Sequence, residues 1–379
     1  MKIVIAPDSF KGSLSALEVS ECVEKGVKSV LPFTNVVKLP LSDGGEGLVD
    51  ALVASTGGEY FQQEVTGPLG EKILAKGGLL GDQQTAVIEM AAASGLPLVP
   101  AEKRDPRHTT TYGTGELIKE AMNKGCRRII VGIGGSSTND GGAGMAQAIG
   151  FRLLNHNEKD ILPGGANLSS LQKINCKEAD YRISKVEIQV ACDVNNPLTG
   201  PKGAAHVYGP QKGATPEMVK ELDRNLSHYA NIVHRDLQIE VDKVPGAGAA
   251  GGLGAGLMAF LGGKLVSGIE LVIEQVSLEQ KLDNCSLVIT GEGNLDEQSL
   301  YGKVPVGVAR LAKKRNIPVV AITGSHSTDT DMFRDEGITA CFNITNRPMS
   351  LEEAIQNTAP LMESTVREIT HLIKSQIKV

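Results

Sequence analysis

The chain has 379 residues, a formal net charge of −6 and 3% aromatic residues, none of which is tryptophan. This length predicts two or three domains and a core large enough to fold without disulfide bonds or a structural metal. An acidic chain with few aromatic side chains lacks the basic and stacking surfaces of nucleic-acid-binding proteins, so no nucleic acid partner is expected.

Short β-branched segments alternate with segments of helical periodicity at both ends of the chain. The first strand, predicted at Lys2–Ala6, is followed by a helix over 14–31, and the second, at Asn35–Pro40, by a helix over 48–55. Further strands are predicted at Arg128–Ile133, Leu287–Thr290, Pro318–Ile322 and Ala340–Ile344. This alternation is typical of a parallel sheet covered by helices.

The middle of the chain has a different pattern. Residues 60–100 alternate apolar and polar positions in short runs, which predicts antiparallel strands. Residues 151–245 contain a strand at Val186–Ala191 and a charged helix at Pro216–Arg235. We therefore predict a discontinuous parallel α/β domain and an inserted α+β domain. The first would consist of residues 1–63, 104–150 and 284–379, and the second of residues 64–103 and 151–283.

The six cysteines show no CxxC pair and no zinc-ligand spacing, which indicates reduced thiols in a reducing compartment. The first residues enter a strand and include Asp8, so no signal peptide is expected. The longest uncharged segment, 244–263, contains eight glycines and a proline and is too weakly apolar for a membrane-spanning helix. We therefore expect a cytoplasmic protein without a membrane partner.

Five loops rich in glycine and oxygen-bearing side chains follow predicted strands. In an open parallel sheet, ligands bind at the carboxyl ends of the strands, so these loops are the candidate site. The loops are APDSFKGS (6–13), LSDGGEG (41–47), GIGGSSTNDGGAGM (132–145), ACDVNNPLTGPKGA (191–204) and TGEGNLDEQSLYGK (290–303). The competing interpretation is that their polar residues only form turns and helix caps.

The residue types in these loops predict phosphate and metal chemistry. In the third loop, backbone amides and a helix N-terminus are expected to bind an anion, and Asp140 to hold Mg²⁺ together with phosphate oxygens.

Two nucleotide-binding motifs are incomplete. Gly302 and Lys303 resemble the end of a P-loop, but Glu297 stands where the first glycine is needed, which excludes that motif. The glycines at 246, 248 and 251 satisfy GxGxxG, although no clean strand precedes them. A nicotinamide-dependent dehydrogenase therefore stays open as an alternative.

Seven segments together resemble the bacterial glycerate kinases of the first type. They are APDSFKGS, SDGGEG, TTTYGTGELI (109–118), GIGGSSTNDGGAGM, CDVNNPLTG, GAGAAGGLGAG and TGEGNLDEQSLYGK. The resemblance implies ATP-dependent phosphorylation of D-glycerate at the 2-hydroxyl, with Mg²⁺ as cofactor. It also implies a flavodoxin-like domain, an inserted restriction-endonuclease-like α/β domain and an active site in the cleft between them.

The predicted site residues form four groups. The catalytic residues are Asp8, Lys11, Asp43 and Asp193, with Asp193 favoured as the base. The acceptor-binding residues are Ser9, Gly44, Gly45, Glu46, Arg104, Asn195 and Asn196. The nucleotide-binding residues are Gly134, Gly135, Ser136, Ser137, Asn139, Gly141, Glu292, Asp296, Gln298 and Lys303. Asp140 is the predicted metal ligand. Arg104 is expected to clamp the glycerate carboxylate through two hydrogen bonds, which a lysine cannot do, and Lys11 is expected to lie nearer the transferring phosphoryl group.

The chain departs from the family pattern at three positions. Asn294 stands where the family often has arginine, Thr199 where it often has cysteine, and Asp105 where it often has asparagine. The missing arginine leaves one phosphate contact to Lys303 or Lys11. The expected partners are D-glycerate and ATP. Phosphorylation at the 3-hydroxyl, a non-catalytic glycerate-binding regulator and a homodimer stay open.

Overall fold

The computed structural model describes residues 1–327 and 329–376. The strands are β1 (Lys2–Ile5), β2 (Asn35–Lys38), β3 (Glu59–Thr66), β4 (Lys72–Leu79), β5 (Thr85–Glu89), β6 (Arg128–Gly132), β7 (Arg152–Leu154), β8 (Lys173–Asn175), β9 (Glu187–Ala191), β10 (Lys264–Val266), β11 (Leu287–Leu295), β12 (Val319–His326) and β13 (Ala340–Asn343).

The α-helices are α1 (Ala16–Val30), α2 (Leu48–Thr56), α3 (Ala91–Ser94), α4 (Tyr112–Asn123), α5 (Ala143–Ala148), α6 (Ala204–Tyr208), α7 (Pro216–Leu237), α8 (Ala249–Leu261), α9 (Gly268–Gln275), α10 (Leu278–Lys281), α11 (Val304–Lys313), α12 (Asp331–Asp335), α13 (Leu351–Gln356) and α14 (Thr358–Gln376). Within the described residues, none of them is long and apolar enough to cross a lipid bilayer.

The chain divides into two compact units. Unit 1 comprises Met1–Asp43, Asp50–Gly57 and the chain from Gly268 onward, and unit 2 comprises Gly44–Val49 and Gly58–Ser267. Both units contain parallel strands and helices, so the predicted mixed α/β class with parallel sheets is confirmed.

Unit 1 contains a five-stranded parallel sheet in the order β2-β1-β11-β12-β13. Ile3, Val4 and Ile5 of β1 are almost fully buried, as expected for a strand covered on both faces. The chain runs outward from β1 to β2 on one side and from β11 to β13 on the other. The strand order therefore reverses between β1 and β11, where open α/β sheets form a ligand crevice.

The start of α1 fixes the length of the first candidate loop. The Ser15 hydroxyl accepts a hydrogen bond from the backbone N–H of Glu18 at 3.3 Å, and the Glu18 carboxylate accepts one from the Ser15 N–H at 2.8 Å. This reciprocal capping box ends the loop at Ser15. Residues 6–14 are therefore a short connection at the carboxyl end of β1.

Unit 2 contains a six-stranded mixed sheet in the order β10-β9-β6-β5-β4-β3 and a separate pair of strands, β7 and β8. The pairs β10–β9, β9–β6 and β6–β5 are parallel. The pairs β5–β4 and β4–β3 are antiparallel. The antiparallel strands predicted within residues 60–100 are therefore present, and one of them also borders the parallel half of the sheet.

The two units differ from the predicted domains at four segments. Residues 44–49 and 58–63, predicted in the discontinuous domain, lie in unit 2. Residues 104–150 lie in unit 2, because β6 pairs with β5 and β9 and not with β1. Strand β6 is a short apolar segment that would suit the parallel strands of either unit. The sequence therefore did not show which sheet it joins. Residues 268–283, predicted in the inserted domain, lie in unit 1. Residue 328 and residues 377–379 of the range predicted at 284–379 lie outside the described residues.

Candidate active site

Unit 1 has a cavity of about 630 Å³ at the carboxyl ends of its parallel strands. The residues that line it come from the loops after β1, β2 and β13 and from the ends of β11 and β12. Six residues predicted from the sequence line this one cavity: Asp8, Ser9, Lys11, Asp43, Glu292 and Lys303.

Asp8 lies at the first of these strand ends and is 5% exposed. Its backbone N–H donates to the carbonyl of Gly291 in β11 at 2.8 Å, and its Oδ1 accepts a hydrogen bond from the Ser9 N–H at 2.6 Å. Burial and then the nearby Asp43 carboxylate raise the pKa of Asp8 to about 7. Asp8 can therefore exchange a proton near neutral pH.

Glu292 is the buried carboxylate of β11. Its Oε1 accepts a hydrogen bond from the Ser299 hydroxyl at 2.7 Å, and its Oε2 lies 3.3 Å from Nζ of Lys303. Burial raises the pKa of Glu292, while Ser299 and Lys303 oppose that rise. The Lys303 side chain is partly exposed, so its charge is held in place and still faces solvent.

Asp296 and Asn294 organise the loop after β11. Oδ1 of Asp296 accepts from the Gln298 N–H at 2.9 Å, and Oδ2 accepts from Nδ2 of Asn294 at 2.7 Å. Asp296 therefore caps the short 3₁₀ helix Glu297–Tyr301, as the competing interpretation holds for this residue. The Ser325 hydroxyl donates to Oδ1 of Asn294 at 2.6 Å, so the position that often carries arginine is neutral and already paired.

The glycine-rich loop of unit 2 is organised around Asp140, which is fully buried. Its Oδ2 accepts from the N–H and hydroxyl of Thr111 at 2.9 and 2.8 Å and from the Gly144 N–H at 3.3 Å, and its Oδ1 accepts from the Gly142 N–H at 3.1 Å. Burial raises the pKa of Asp140, and these hydrogen bonds oppose that rise.

These hydrogen bonds bear on two predictions about the loop. Asp140 is fully buried and accepts four internal hydrogen bonds, which fit a structural role better than that of a magnesium ligand. The Gly142 and Gly144 amides donate to Asp140 and are not available to an external anion. The buried carboxylate replaces the phosphate that the sequence pattern led us to expect at the start of α5.

Lys212 is a buried lysine that the sequence analysis missed. It is 2% exposed, and its Nζ donates to the Ser136 hydroxyl and to the Thr138 carbonyl, each at 2.7 Å. Burial lowers the pKa of Lys212 to about 7, and the charge of Asp140 opposes that change. Its sequence context, GPQKGA, resembles a solvated turn and gives no sign of burial. Ser136, predicted to bind nucleotide, is therefore an internal partner of this lysine.

The other residues of this loop that were predicted to bind nucleotide differ in burial and in hydrogen bonding. The Ser137 hydroxyl donates to the Ser94 carbonyl at 2.9 Å, and the Gly141 N–H donates to the Gly251 carbonyl at 3.0 Å, so both residues serve internal packing. Asn139 is fully buried, and neither polar atom of its side chain has a hydrogen-bond partner among the described residues. Gly134 and Gly135 are exposed.

The glycine-rich run at 246–256 is a packing surface. Gly251 has φ of +69°, and a Cβ there would lie 1.9 Å from the Thr138 carbonyl oxygen. A Cβ at Gly256 would lie 2.5 Å from the carbonyl oxygen of Gly141. The glycines therefore let α8 approach the loop that carries Asp140. The GxGxxG pattern is explained by this packing, so it no longer supports the dehydrogenase alternative.

Two further glycine clusters meet within unit 2. A Cβ at Gly132 would lie 2.9 Å from the carbonyl oxygen of Gly44, and a Cβ at Gly134 would lie 3.4 Å from Cα of Gly45. Glu46, beside them, is exposed. The structure therefore brings the second and third loops together through glycines that leave little room for a side chain.

Three predicted site residues, Asp193, Asn195 and Asn196, lie in the loop after β9. Asp193 and Asn195 are exposed. Asn196 donates through Nδ2 to the Lys202 carbonyl at 2.8 Å and accepts from the Tyr208 hydroxyl at 2.6 Å. These bonds occupy both ends of the Asn196 amide, so it fits a structural role better than the predicted acceptor contact.

Arg104 is half-buried in unit 2, where its Nε donates weakly to the Val99 carbonyl at 3.5 Å. In the part of the chain that the structure describes, no group of three or more His, Cys, Asp or Glu side chains could by itself hold a metal ion.

Comparison with known proteins places the chain in one family. The model of the glycerate kinase family matches residues 3–374. The chain is 53% identical over 374 residues to a glycerate kinase of Bacillus subtilis, covering 99% of this chain and 98% of that protein. It is 54% identical over 356 residues to a glycerate 2-kinase of Escherichia coli, covering 94% and 93%.

A crystal structure described as a putative glycerate kinase 2 of Salmonella typhimurium LT2 superposes with a TM-score of 0.91 at 50% identity, covering 99% of this chain and 98% of that one. The match therefore extends over both units and over every loop predicted to carry the site. The chain belongs to the glycerate kinase family.

Proposed function

We propose that this chain is an ATP-dependent kinase that phosphorylates D-glycerate at the 2-hydroxyl, giving 2-phosphoglycerate and ADP. The observation that carries the proposal is the cavity of unit 1, where three carboxylates and two lysines meet at the ends of parallel strands. Phosphoryl transfer requires positioning, charge neutralisation and a proton acceptor, and needs no covalent nucleophile. The names of the similar proteins support glycerate as the acceptor.

We assign the proton acceptor to Asp8. A carboxylate with a pKa of about 7 is both substantially ionised and basic enough to take a proton at neutral pH. Asp43 supports this role because its charge raises the pKa of Asp8. Asp193, the base favoured from the sequence, is exposed and lacks the burial that tunes Asp8.

Lys11 and Lys303 supply the positive charge of the cavity. Lys303 Nζ lies 3.3 Å from Glu292 Oε2, and its side chain stays partly exposed, so its charge can interact with a phosphate that enters the cavity. Lys11 is exposed on the loop after β1. Because Asn294 is neutral, these two lysines take the part of the arginine that the family often carries there.

The donors of the cavity fit Mg²⁺. Proteins commonly bind this ion through one or two carboxylates and the phosphates of the substrate, and Asp43 and Glu292 provide carboxylates of that kind. The bound ion supplies charge neutralisation at the phosphoryl group that is transferred. A site completed by nucleotide phosphates is consistent with the lack of a full ligand set among the described residues.

We also propose the flavodoxin-like description for unit 1, supported by its strand order, which is 2-1-3-4-5 when its strands are numbered along the chain. The restriction-endonuclease-like description of unit 2 rests on the family resemblance. Ser9 is proposed to contact the acceptor in the cavity. The predicted acceptor contacts in unit 2 are also kept as proposals: Gly44, Gly45, Glu46, Arg104 and Asn195.

The proposal is tested by incubating the purified chain with D-glycerate and Mg-ATP, measuring ADP release and recording the ³¹P spectrum of the product. We expect ADP release that depends on glycerate and a resonance of 2-phosphoglycerate. A 3-phosphoglycerate resonance would change the assigned hydroxyl. Glycerate binding by calorimetry without turnover would show a regulator instead of an enzyme.

A further inference from the structure

The cavity of unit 1 is divided by polarity along the order of its strands. The carboxylates and lysines lie at the ends of β2, β1 and β11 or in the segments that follow them. The half beyond β12 and β13 is formed by the segment 344–358, which contributes Ile344, Met349, Leu351, Ala354 and Ile355. We call these five side chains the apolar wall. The sequence analysis singled out none of them.

Two side chains of the apolar wall are exposed in a way that core packing does not explain, whereas Ile344 belongs to the buried core. Leu351 is 76% and Ile355 is 37% exposed, and α13 buries none of its residues. Single exposed apolar residues are ordinary, but a group of them along a concave cavity marks a ligand site. The wall therefore calls for a ligand with an apolar surface.

Three hydroxyl groups beside the apolar wall make hydrogen bonds within the protein. Oγ of Ser350 accepts a backbone N–H of α13 at 3.1 Å, and the Thr358 hydroxyl donates to the Ala354 carbonyl at 2.9 Å. The Ser13 hydroxyl donates to the Ile355 carbonyl at 3.0 Å. The wall therefore presents carbon surface to the face of a ligand.

The apolar wall and the charged loops line the same cavity. The bond between Ser13 and Ile355 also holds the loop that carries Lys11 against α13, so a cation lies between the two halves.

We propose that the apolar wall binds the base of the nucleotide, with the phosphates directed toward Lys11 and Lys303. The proposal rests on the proposed kinase function and adds to it the place of the base. The volume of about 630 Å³ is typical of sites for ligands of this size. A three-carbon hydroxy acid has no flat apolar group that could cover Leu351 and Ile355.

The test uses the double variant Leu351→Ser/Ile355→Ser of the full chain. Calorimetry with Mg²⁺ present would measure the Kd of ADP and the Kd of inorganic tripolyphosphate, which has no base. We expect the Kd of ADP to rise at least tenfold and the Kd of tripolyphosphate and the KM for glycerate to stay within twofold. Leu372→Ser is the matched control, because Leu372 is 60% exposed in α14 and does not line the cavity.

Three results would overturn the proposal: an unchanged Kd of ADP, equal weakening of ADP and tripolyphosphate, or a raised KM for glycerate with ADP unaffected. Unchanged melting temperatures would show that the variants are folded, as expected for substitutions at exposed positions. The proposed function fails separately, because wild-type chain that binds ADP through the wall and does not phosphorylate glycerate would support the base site and refute the kinase assignment.

Discussion

Asp8 of unit 1 and Asp140 of unit 2 both follow a buried parallel strand in a loop with glycines, and burial raises the pKa of both. Their surroundings differ. Asp8 accepts a hydrogen bond from its neighbour Ser9 and faces two further carboxylates, whereas Asp140 accepts four hydrogen bonds. A buried charge whose neighbours repel it is poised for chemistry, and one whose neighbours satisfy it holds a loop together.

The lysines of the two regions differ in the same way. Lys303 keeps its charge partly exposed beside Glu292, and it can meet an anion that enters the cavity. Lys212 is buried against Ser136 and a backbone carbonyl, and burial lowers its pKa to about 7. The comparison predicts that changes in unit 1 mainly affect turnover and that changes around Asp140 mainly affect stability.

The largest effect is expected for Asp8→Asn. Removing the proton acceptor should lower kcat by about 10³-fold in steady-state assays. In the wild type, kcat/KM should fall as the pH drops below about 7, because Asp8 is then protonated and cannot take the hydroxyl proton. Asp335→Asn, at an exposed residue of the same unit, should leave both unchanged.

The same variant should be more stable than the wild type. The pKa of Asp8 is about 7 in the folded chain and 3.8 when exposed, so its ionisation costs folding energy that grows from about pH 4 to about pH 7 and then levels off. Asp8→Asn should raise the unfolding free energy by roughly 2–4 kcal/mol at pH 8, and by less at pH 5. An equal gain at both pH values would show that the ionisation of Asp8 is not what destabilises the wild type.

Asp140→Ala should mainly destabilise the protein. It leaves the amides of Thr111, Gly142 and Gly144 without their acceptor and Lys212 without a counter-charge. The expected loss is about 3–5 kcal/mol in chemical unfolding followed by circular dichroism. Asp160→Ala, which breaks an exposed pair with Arg152, should cost less than about 1 kcal/mol.

Loss of turnover in folded Asp140→Ala, with unfolding unchanged, would end the distinction between the two regions. It would favour the predicted role of Asp140 as a metal ligand.

Lys303→Met should raise the KM for ATP about tenfold, equivalent to about 1.4 kcal/mol, because one of two cations facing the phosphates is lost. The pKa of Glu292 should rise further without its counter-charge. The control is Lys314→Met, at an exposed lysine of the same unit. A KM for ATP within twofold of the wild type would leave Lys11 as the phosphate contact to test.

The smallest effect is expected for Asn139→Leu. Because neither polar atom of Asn139 has a partner among the described residues, its removal should change stability by less than about 1 kcal/mol. The matched contrast is Asn225→Leu, which removes hydrogen bonds to the Gly165 and Ala166 carbonyls and should cost about 1–3 kcal/mol. Equal losses in thermal melts would show that Asn139 has partners of its own.

Much of the fold and part of the site could be predicted from the sequence. The apolar strand segments and the helical periodicity predicted the parallel strands, and the position of polar loops after those strands predicted that Asp8, Lys11, Asp43, Glu292 and Lys303 belong to a site. Both patterns are local, since a strand end and the loop after it are adjacent in the chain. The family resemblance extended this to a substrate.

Tertiary structure decided the rest, because pairing and burial depend on residues far apart in the chain. The sequence of β6 would suit the parallel strands of either unit, and its pairing with β5 and β9 places it in unit 2. Nothing in the local sequence of Lys212 indicates burial. Its ammonium group donates a hydrogen bond to the carbonyl of Thr138, which is 74 residues away in the chain. The same pattern of glycines and an acid has two outcomes. Around Asp8 it lines an open cavity with other carboxylates, and around Asp140 backbone amides donate to the carboxylate and bury it. The sequence determined which loops are polar, and the packing around each loop determined which of them remain accessible to a substrate.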